Sequence, residues 1–373
     1  MSKTTAYYYS RLSKEEQAAY HAIKSGLTVL APSFAVPRLE GRRLGELFFQ
    51  LRLDCPEIFY ASGFHYRFYA DAGHVEFIPE YLFDKGKIRE HQKALTARAA
   101  KLVRPAQKLS EREKEQYIHD FICENVRYDK LKKPYSHEII GPLGHGVGVC
   151  EGIAKTVKIL CDALGLWSVI AVSEANPQKK IRYRHAWNVV RLEGKYYHVD
   201  ATFDNSLSRG GPLRGDYLNL DDKHVFRDHE PVIWPVPACG DGGRFYYREQ
   251  KLSFTRQEEV AKRALQAIRK KRPFVFHWRG GYLTREMLTE LFDLLEETAQ
   301  QKGRHAHVRL NWPQAVLRVD FLEEAPEENW VAQQANEGED GSAWQEPAEE
   351  AGRQDDPEGR SGRSEEAPEE EDT

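Results

Sequence analysis

Long apolar runs are missing from this 373-residue chain, and no stretch approaches the roughly 20 apolar residues that cross a bilayer, which argues against a membrane protein. The opening, MSKTTAYYYSRLSKEEQ, turns polar before the apolar core of a signal peptide could form, so a cytoplasmic location is expected. Cysteine is sparse. Cys55, Cys123, Cys150, Cys161 and Cys239 are an odd number without Cys-x-x-Cys spacing, which suggests neither a disulfide framework nor a structural zinc site. There is no internal repeat and no basic stripe interleaved with aromatics, so no nucleic-acid partner is expected. What is present suffices for a packed core: 40% of the residues are apolar and 11% of the chain is aromatic, in a sequence long enough for two or three domains.

The net charge of −4 is unevenly spread, because residues 331–373 hold 15 acidic residues and 3 arginines, leaving 51 basic against 43 acidic, or +8, in the rest. After Trp330 there is no Ile, Leu, Phe or Tyr to offset the entropy of ordering. Residues 327–373 are therefore expected to be a disordered acidic tail, either a solubilising tether or an arm for an unknown partner.

Residues 1–105 read as a helical and β-hairpin region. Ser13 with Glu16 forms a capping box for a helix to about Leu30, and a second helix covers about Leu39 to Leu51. The runs EIFY, HYRFYA and HVEFIPEY, with a turn at Ala72-Gly73, suggest antiparallel strands, and a helix follows from about Lys85 to Leu102. Residues 106–254 open on a second capping box, Ser110 with Glu113, and carry the chemistry. Residues 255–326 form a small α/β unit of two helices and three strands. His305 and His307 share a strand face there, but no third ligand stands near, so a surface pair is expected rather than a metal site.

In the run GHGVGVCEGIAKTVKILCDALG, Cys150 precedes a helix-period pattern of Ile153, Ala154, Val157, Leu160, Cys161 and Leu164 that ends at Gly165. It therefore sits at a helix N-terminus, where unpaired backbone N–H groups and the positive end of the macrodipole favour a thiolate. Phosphate binding by this glycine-rich loop is disfavoured, because no Gly-Lys-Ser/Thr follows. Cys161, on the apolar face of the same helix, reads as core.

Downstream, RHAWNVVRLEGKYYHVDATFDN places strand-forming residues 186–192 and 195–202 around Glu193-Gly194, the length of a two-residue hairpin loop. Such a loop pairs Trp187 with Asp200 and His185 with Thr202, so that His185 and Asp200 become diagonal neighbours on one face, about 7–8 Å apart at Cα. Asp204, beyond the paired strand, is expected to be a bystander to the chemistry. A thiol primed by a helix start, an imidazole and a carboxylate to orient it are the residue types of an activated nucleophile.

These blocks, GVGVCEGIAK and then RHAWNVVRLEGKYYHVDATFDN, resemble the transglutaminase-like superfamily, whose pattern is a G-x-V-C-x-G-x-A helix start, an H-A-W-N strand and a Y-x-V-D-x-T strand. Tyr128-Asp129 and the Asp204 region also resemble bacterial members, and the resemblance covers about residues 110–220. It implies an α+β fold, a papain-like core in which the nucleophile's helix packs on an antiparallel sheet. It implies Cys150 as nucleophile, His185 as general acid and base and Asp200 as orienting carboxylate. The family often places an aromatic or amide side chain before the nucleophile as an oxyanion donor; His145, Tyr128 and Asn125 are the candidates, with Trp187 and Asn188 buttressing the histidine strand.

The expected activity is acyl transfer on a protein or peptide substrate through a thioester, with water as acceptor (a protease or amidase). The alternatives are a crosslinking transglutaminase and a non-catalytic protein-binding scaffold on the same fold. No cofactor, metal or membrane partner is expected.

Overall fold

Both capping boxes form. Glu16 accepts from Ser13 N–H at 2.8 Å and Glu113 from Ser110 N–H at 2.9 Å, each reciprocated by the serine hydroxyl. They open α1 (Lys14–Thr28) and α4 (Glu111–Asn125) in a computed structural model that describes residues 6–333 except 70, 71, 180, 282 and 329. Between them come β1 (Phe34–Pro37), α2 (Gly41–Asp54), β2 (Ala61–Phe68), β3 (His74–Tyr81) and α3 (Lys85–Val103). The expected hairpin is β2–β3, and β1, which the sequence reading lacked, pairs with the other edge of β3. EIFY is not a strand. Residues 57–60 turn the chain from α2 into β2, with Ile58 N–H bonded to Cys55 O at 2.9 Å, and their aromatic rings are buried by that turn rather than by alternation.

The central part runs through β4 (Arg127–Tyr128), β5 (Val147–Gly148), α5 (Cys150–Leu164), β6 (Trp167–Ser173), β7 (His185–Leu192), β8 (Lys195–Val199), α6 (Ala201–Ser208) and β9 (Leu218–Leu220). Strands β6-β7-β8-β9 make an antiparallel sheet in that order. The apolar stripe of α5 (Ile153, Val157, Leu160, Cys161, Leu164) packs into one cluster with Val190, Leu192, Tyr197 and Val199. This mixed architecture, a helix seated on an antiparallel sheet, is the α+β core expected. Short helices α7 (Asp222–Val225) and α8 (Tyr246–Glu249) lead to β10 (Ser253–Phe254), α9 (Gln257–Arg269), β11 (Phe274–Trp278), α10 (Arg285–Gln300), β12 (His305–Asn311), β13 (Val316–Leu322) and β14 (Trp330–Ala332). These last strands form a second sheet, β10-β11-β13-β12-β14.

The expected boundary of the acidic tail needs correcting at its start. Residues 330–332 pair in parallel with β12, Val308 opposite Trp330, and the Trp330 ring stacks on Phe292 at 5.5 Å. Trp330 has an aromatic partner within the chain, which the composition of the segment around it hides. The rest of the acidic segment, from residue 334, lies outside the described residues. No described helix is long and apolar enough to cross a membrane.

Packing runs straight across residue 105. Tyr7, Tyr8, Phe49 and Leu53 join the buried cluster that contains Cys150, Val169, Ala171 and Trp187. Arg52 of α2 pairs with Glu138, and both Glu138 and Glu151 pair with Lys155, at 2.8 and 2.6 Å. Arg52 also lies 3.6 Å from Glu151 and His137 3.4 Å from it. Burial opposes the charge on Glu151, but Lys155, His137 and Arg52 hold its carboxyl well below the usual range. Arg52, Glu138, Glu151 and Lys155 thus form one buried ion-pair cluster beside the first turn of α5.

Replacing Arg52 with Met should leave Glu138 and Glu151 to share Lys155 and should cost about 3–5 kcal/mol of unfolding free energy, measured in urea. A chain ended at residue 326, lacking β14, should melt lower than one ended at residue 333, by about 2–4 °C for each kcal/mol of docking lost.

Candidate active site

Helix α5 begins at Cys150, and its N-cap, Val149, has no side chain able to cap it. The first-turn N–H groups therefore keep the partial positive charge that favours an anion at this end. Gly152 lets the turn sit tight: a Cβ there would collide with the Ser136 carbonyl oxygen. Val149 N–H donates to that same oxygen at 3.0 Å, so segment 134–148 wraps under the helix start. Cys150 is wholly buried, and so is Cys161, whose thiol burial pushes far up out of reach of ionisation.

The hairpin register is the one read from the sequence. Asn188 pairs with Val199, Val190 with Tyr197 and Leu192 with Lys195, around a turn in which Glu193 (φ 48°) and Gly194 (φ 83°) are both left-handed. The strand stops at Val199, three residues sooner than expected. Asp200 is not paired in β8; it is the N-cap of α6, its Oδ1 accepting from Thr202 N–H at 2.9 Å and Phe203 N–H at 3.1 Å. Capping turns the other oxygen toward β7, where Oδ2 lies 2.6 Å from His185 Nε2. The pair exists, then, through a helix cap rather than through diagonal strand neighbours. Since a carboxylate only accepts, Nε2 carries the proton and Nδ1 is the ring nitrogen that can exchange one. Burial alone would raise the Asp200 carboxyl; the charge and hydrogen bond of His185, with the bond from His229, hold it well below the usual range instead.

His229 went unrecognised in the sequence. Its Nε2 lies 2.9 Å from Asp200 Oδ2 and its Nδ1 2.9 Å from Asp228 Oδ1. It is brought there because Ile233 N–H bonds to Val172 O at 2.8 Å, laying the segment after His229 along the β6 edge. The partner lies 29 residues away, and no periodicity marks it. The His185 ring sits among Trp187 (stacked, 5.8 Å), Phe203 (4.6 Å) and His229 (5.3 Å).

Trp187 and Asn188 both carry hydrogen bonds that tie β7 to its neighbours. Trp187 Nε1 donates to His198 Nδ1 at 3.0 Å, and Asn188 Nδ2 donates to Ala154 O at 3.0 Å, tying β7 to the first turns of α5. Of the three oxyanion candidates, Tyr128 is buried on β4, opposite Gly148, which lies two residues before the nucleophile. His145 is exposed and lies on the Tyr135 ring at 4.7 Å, and Asn125 is exposed with its amide on Phe121 O, so neither is brought in as Tyr128 is. His305 Nδ1 lies 2.8 Å from Glu296 Oε1.

Two trios of metal-ligating side chains come together among the described residues, His185 with Asp200 and His229, and His198 with Asp222 and Cys239. In the second, Trp187 donates to Nδ1 of His198, so Nε2 carries the proton toward Asp222 (2.8 Å) and has no lone pair for a metal. In the first, both Nε2 atoms are already committed to Asp200.

Residues 96–201, which contain α5, β7 and Asp200, match the family model of the transglutaminase-like superfamily, and this stretch of the chain is a transglutaminase-like core. No curated protein matches the chain. Solved structures that overlap it include one described as a TGase (11% identity, 45% of this chain and 48% of that one, TM-score 0.27). Another is a candidate cysteine protease from Cytophaga hutchinsonii (16% identity, 36% and 60%, TM-score 0.24). A third is a candidate protease from Parabacteroides distasonis (17% identity, 37% and 36%, TM-score 0.22). The chain thus spans between about a third and three fifths of those proteins, and likenesses this weak carry no weight beside the family match and the geometry.

Asp204 is no bystander to the fold. It is fully buried, its Oδ2 bonds to His119 Nε2 at 3.0 Å, and both oxygens accept from Tyr217 N–H at 3.1 Å. Asp204→Asn should therefore lower stability by about 1–3 kcal/mol while leaving the pH profile of Cys150 alkylation in place, a combination that thermal melts and iodoacetamide kinetics would read together.

Proposed function

We propose that the chain catalyses cysteine-dependent acyl transfer on a peptide or carboxamide, with Cys150 as nucleophile, His185 as general acid and base and Asp200 as the carboxylate that orients His185. The observation that carries this reading is the 2.6 Å His185–Asp200 bond, held at the end of the strand on which the Cys150 helix packs. The family match over residues 96–201 supports it independently.

In this scheme the Cys150 thiolate adds to the carbonyl carbon, and the C=O π electrons move to oxygen. That oxyanion takes hydrogen bonds from Cys150 N–H and, as a second donor, the Tyr128 hydroxyl. Collapse breaks the C–N bond, and the leaving amine or ammonia takes its proton from His185 Nδ1. Water then adds to the thioester with His185 as base, releasing the acid and the thiol. Water is the proposed acceptor; a lysine amine in its place would give crosslinking by the same two steps. Cys150 is wholly buried and His185 nearly so, with 7% of its surface exposed.

Intact-mass analysis after incubation with peptide libraries separates chain cleavage, loss of ammonia and amine incorporation. Cys150→Ala should abolish all three without moving the melting point, whereas Asp200→Asn should slow them by about 10²–10⁴. Full turnover by Cys150→Ala would remove the covalent mechanism.

A further inference from the structure

His229 is buried against Asp200 yet has no step in the acyl-transfer scheme. Each of its ring nitrogens faces a carboxylate oxygen at 2.9 Å, Asp200 on one side and Asp228 on the other. A carboxylate only accepts, and a neutral imidazole has one N–H to give. Both contacts are satisfied together when both nitrogens are protonated. Asp200 is held ionised, and Asp228 accepts at Oδ2 from the Tyr217 hydroxyl at 2.5 Å and at Oδ1 from the Gln314 amide at 3.4 Å, which leaves both of its oxygens in acceptor roles. Burial opposes a charge on His229, but the bonds and charges of Asp200 and Asp228 outweigh it and raise its pKa above the ordinary 6.5.

We propose that His229 is a positioning residue, a buried cation that fixes the Asp200 carboxylate and offsets part of its charge, and so sets how strongly Asp200 holds the proton of His185. The proposal rests on the reading of Cys150, His185 and Asp200 as an acyl-transfer group. The groups facing His229 are few. From β7 come His185 and the Trp187 ring (4.9 Å), from α6 the Phe203 ring (4.7 Å), and from the segment before β9 the Tyr217 ring (5.6 Å). From the end of β8 come Asp200 and His198; burial lowers the pKa of His198, and the charge of His229 adds to that against the pull of Asp222. Asp228 completes the set, with the Gln314 amide of the C-terminal unit 3.4 Å behind it. Because the folded pKa of His229 is raised above the ordinary 6.5, the cation is lost only as pH rises through that raised value.

His229→Gln keeps an amide donor and removes the charge. The rate of iodoacetamide capture at Cys150, located by peptide mapping, reads the ionisation of the thiol and of His185 without any substrate. Without the cation, the Cys150 thiolate is less favoured and the His185 imidazolium more so. Both apparent ionisations should therefore move upward by about one pH unit. In an Asp200→Asn background the His185 part of that shift should vanish, which a merely structural role would not produce. In the unaltered protein, the ¹⁵N shifts of the His229 ring should be those of an imidazolium at pH 7. A neutral His229 ring at pH 7, or a His229→Gln profile that superimposes on wild type, would overturn the proposal. If His229→Gln does not fold, the ring shifts of the wild type decide. If Cys150 in the folded protein is captured at no pH, the acyl-transfer reading fails, and those same ring shifts still report on His229.

Discussion

The Asp200 carboxylate is where the central part of the chain is tied together. It ends β8, starts α6 and receives hydrogen bonds at both oxygens, from two backbone N–H groups on one and from His185 and His229 on the other. An ionised group this deeply buried costs several kcal/mol unless its lone pairs are filled. Filling them forces the β7 end, the first turn of α6 and the segment at 229 to converge on one point. The geometry of the candidate site is thus a by-product of satisfying one buried charge.

A second set of buried charges fixes the other side of the site. The Arg52, Glu138, Glu151 and Lys155 cluster holds the start of α5 from the N-terminal region, next to Cys150. From the other direction, Tyr247 and Asn311 both donate to Asp216, at 2.8 Å each, and Asp216 forms a bidentate pair with buried Arg214. The thiol is therefore positioned from the N-terminal side of the chain and the carboxylate from the C-terminal side. Regions without chemistry of their own act as the two jaws of a vice.

Features decided within a few residues were legible in the sequence. The capping boxes at Ser13 and Ser110, the start of α5 at Cys150 and the register around Glu193-Gly194 each depend on contacts over a handful of positions. The end of β8 was harder, because Asp200 satisfies two local patterns at once, the alternation of a strand and the cap of a helix, and only the fold decides between them. EIFY has strand-like composition but must reverse the chain after α2. What stayed hidden spans long separations: Arg52 to Glu138 over 86 residues, His119 to Asp204 over 85 and His229 to Asp200 over 29. A lone His or Arg carries no period and no spacing rule, so nothing in the chain's text marks it as half of a buried pair.

Strand β14 bears on how copies of this chain meet in solution. A β-sheet edge with unpaired N–H and C=O groups is a template for joining another molecule. In the C-terminal sheet one end is β10, only two residues long, and the other would be the seven-residue β12 were β14 not laid along it. β14 therefore covers the longest margin that the sheet would otherwise leave open for pairing with another molecule.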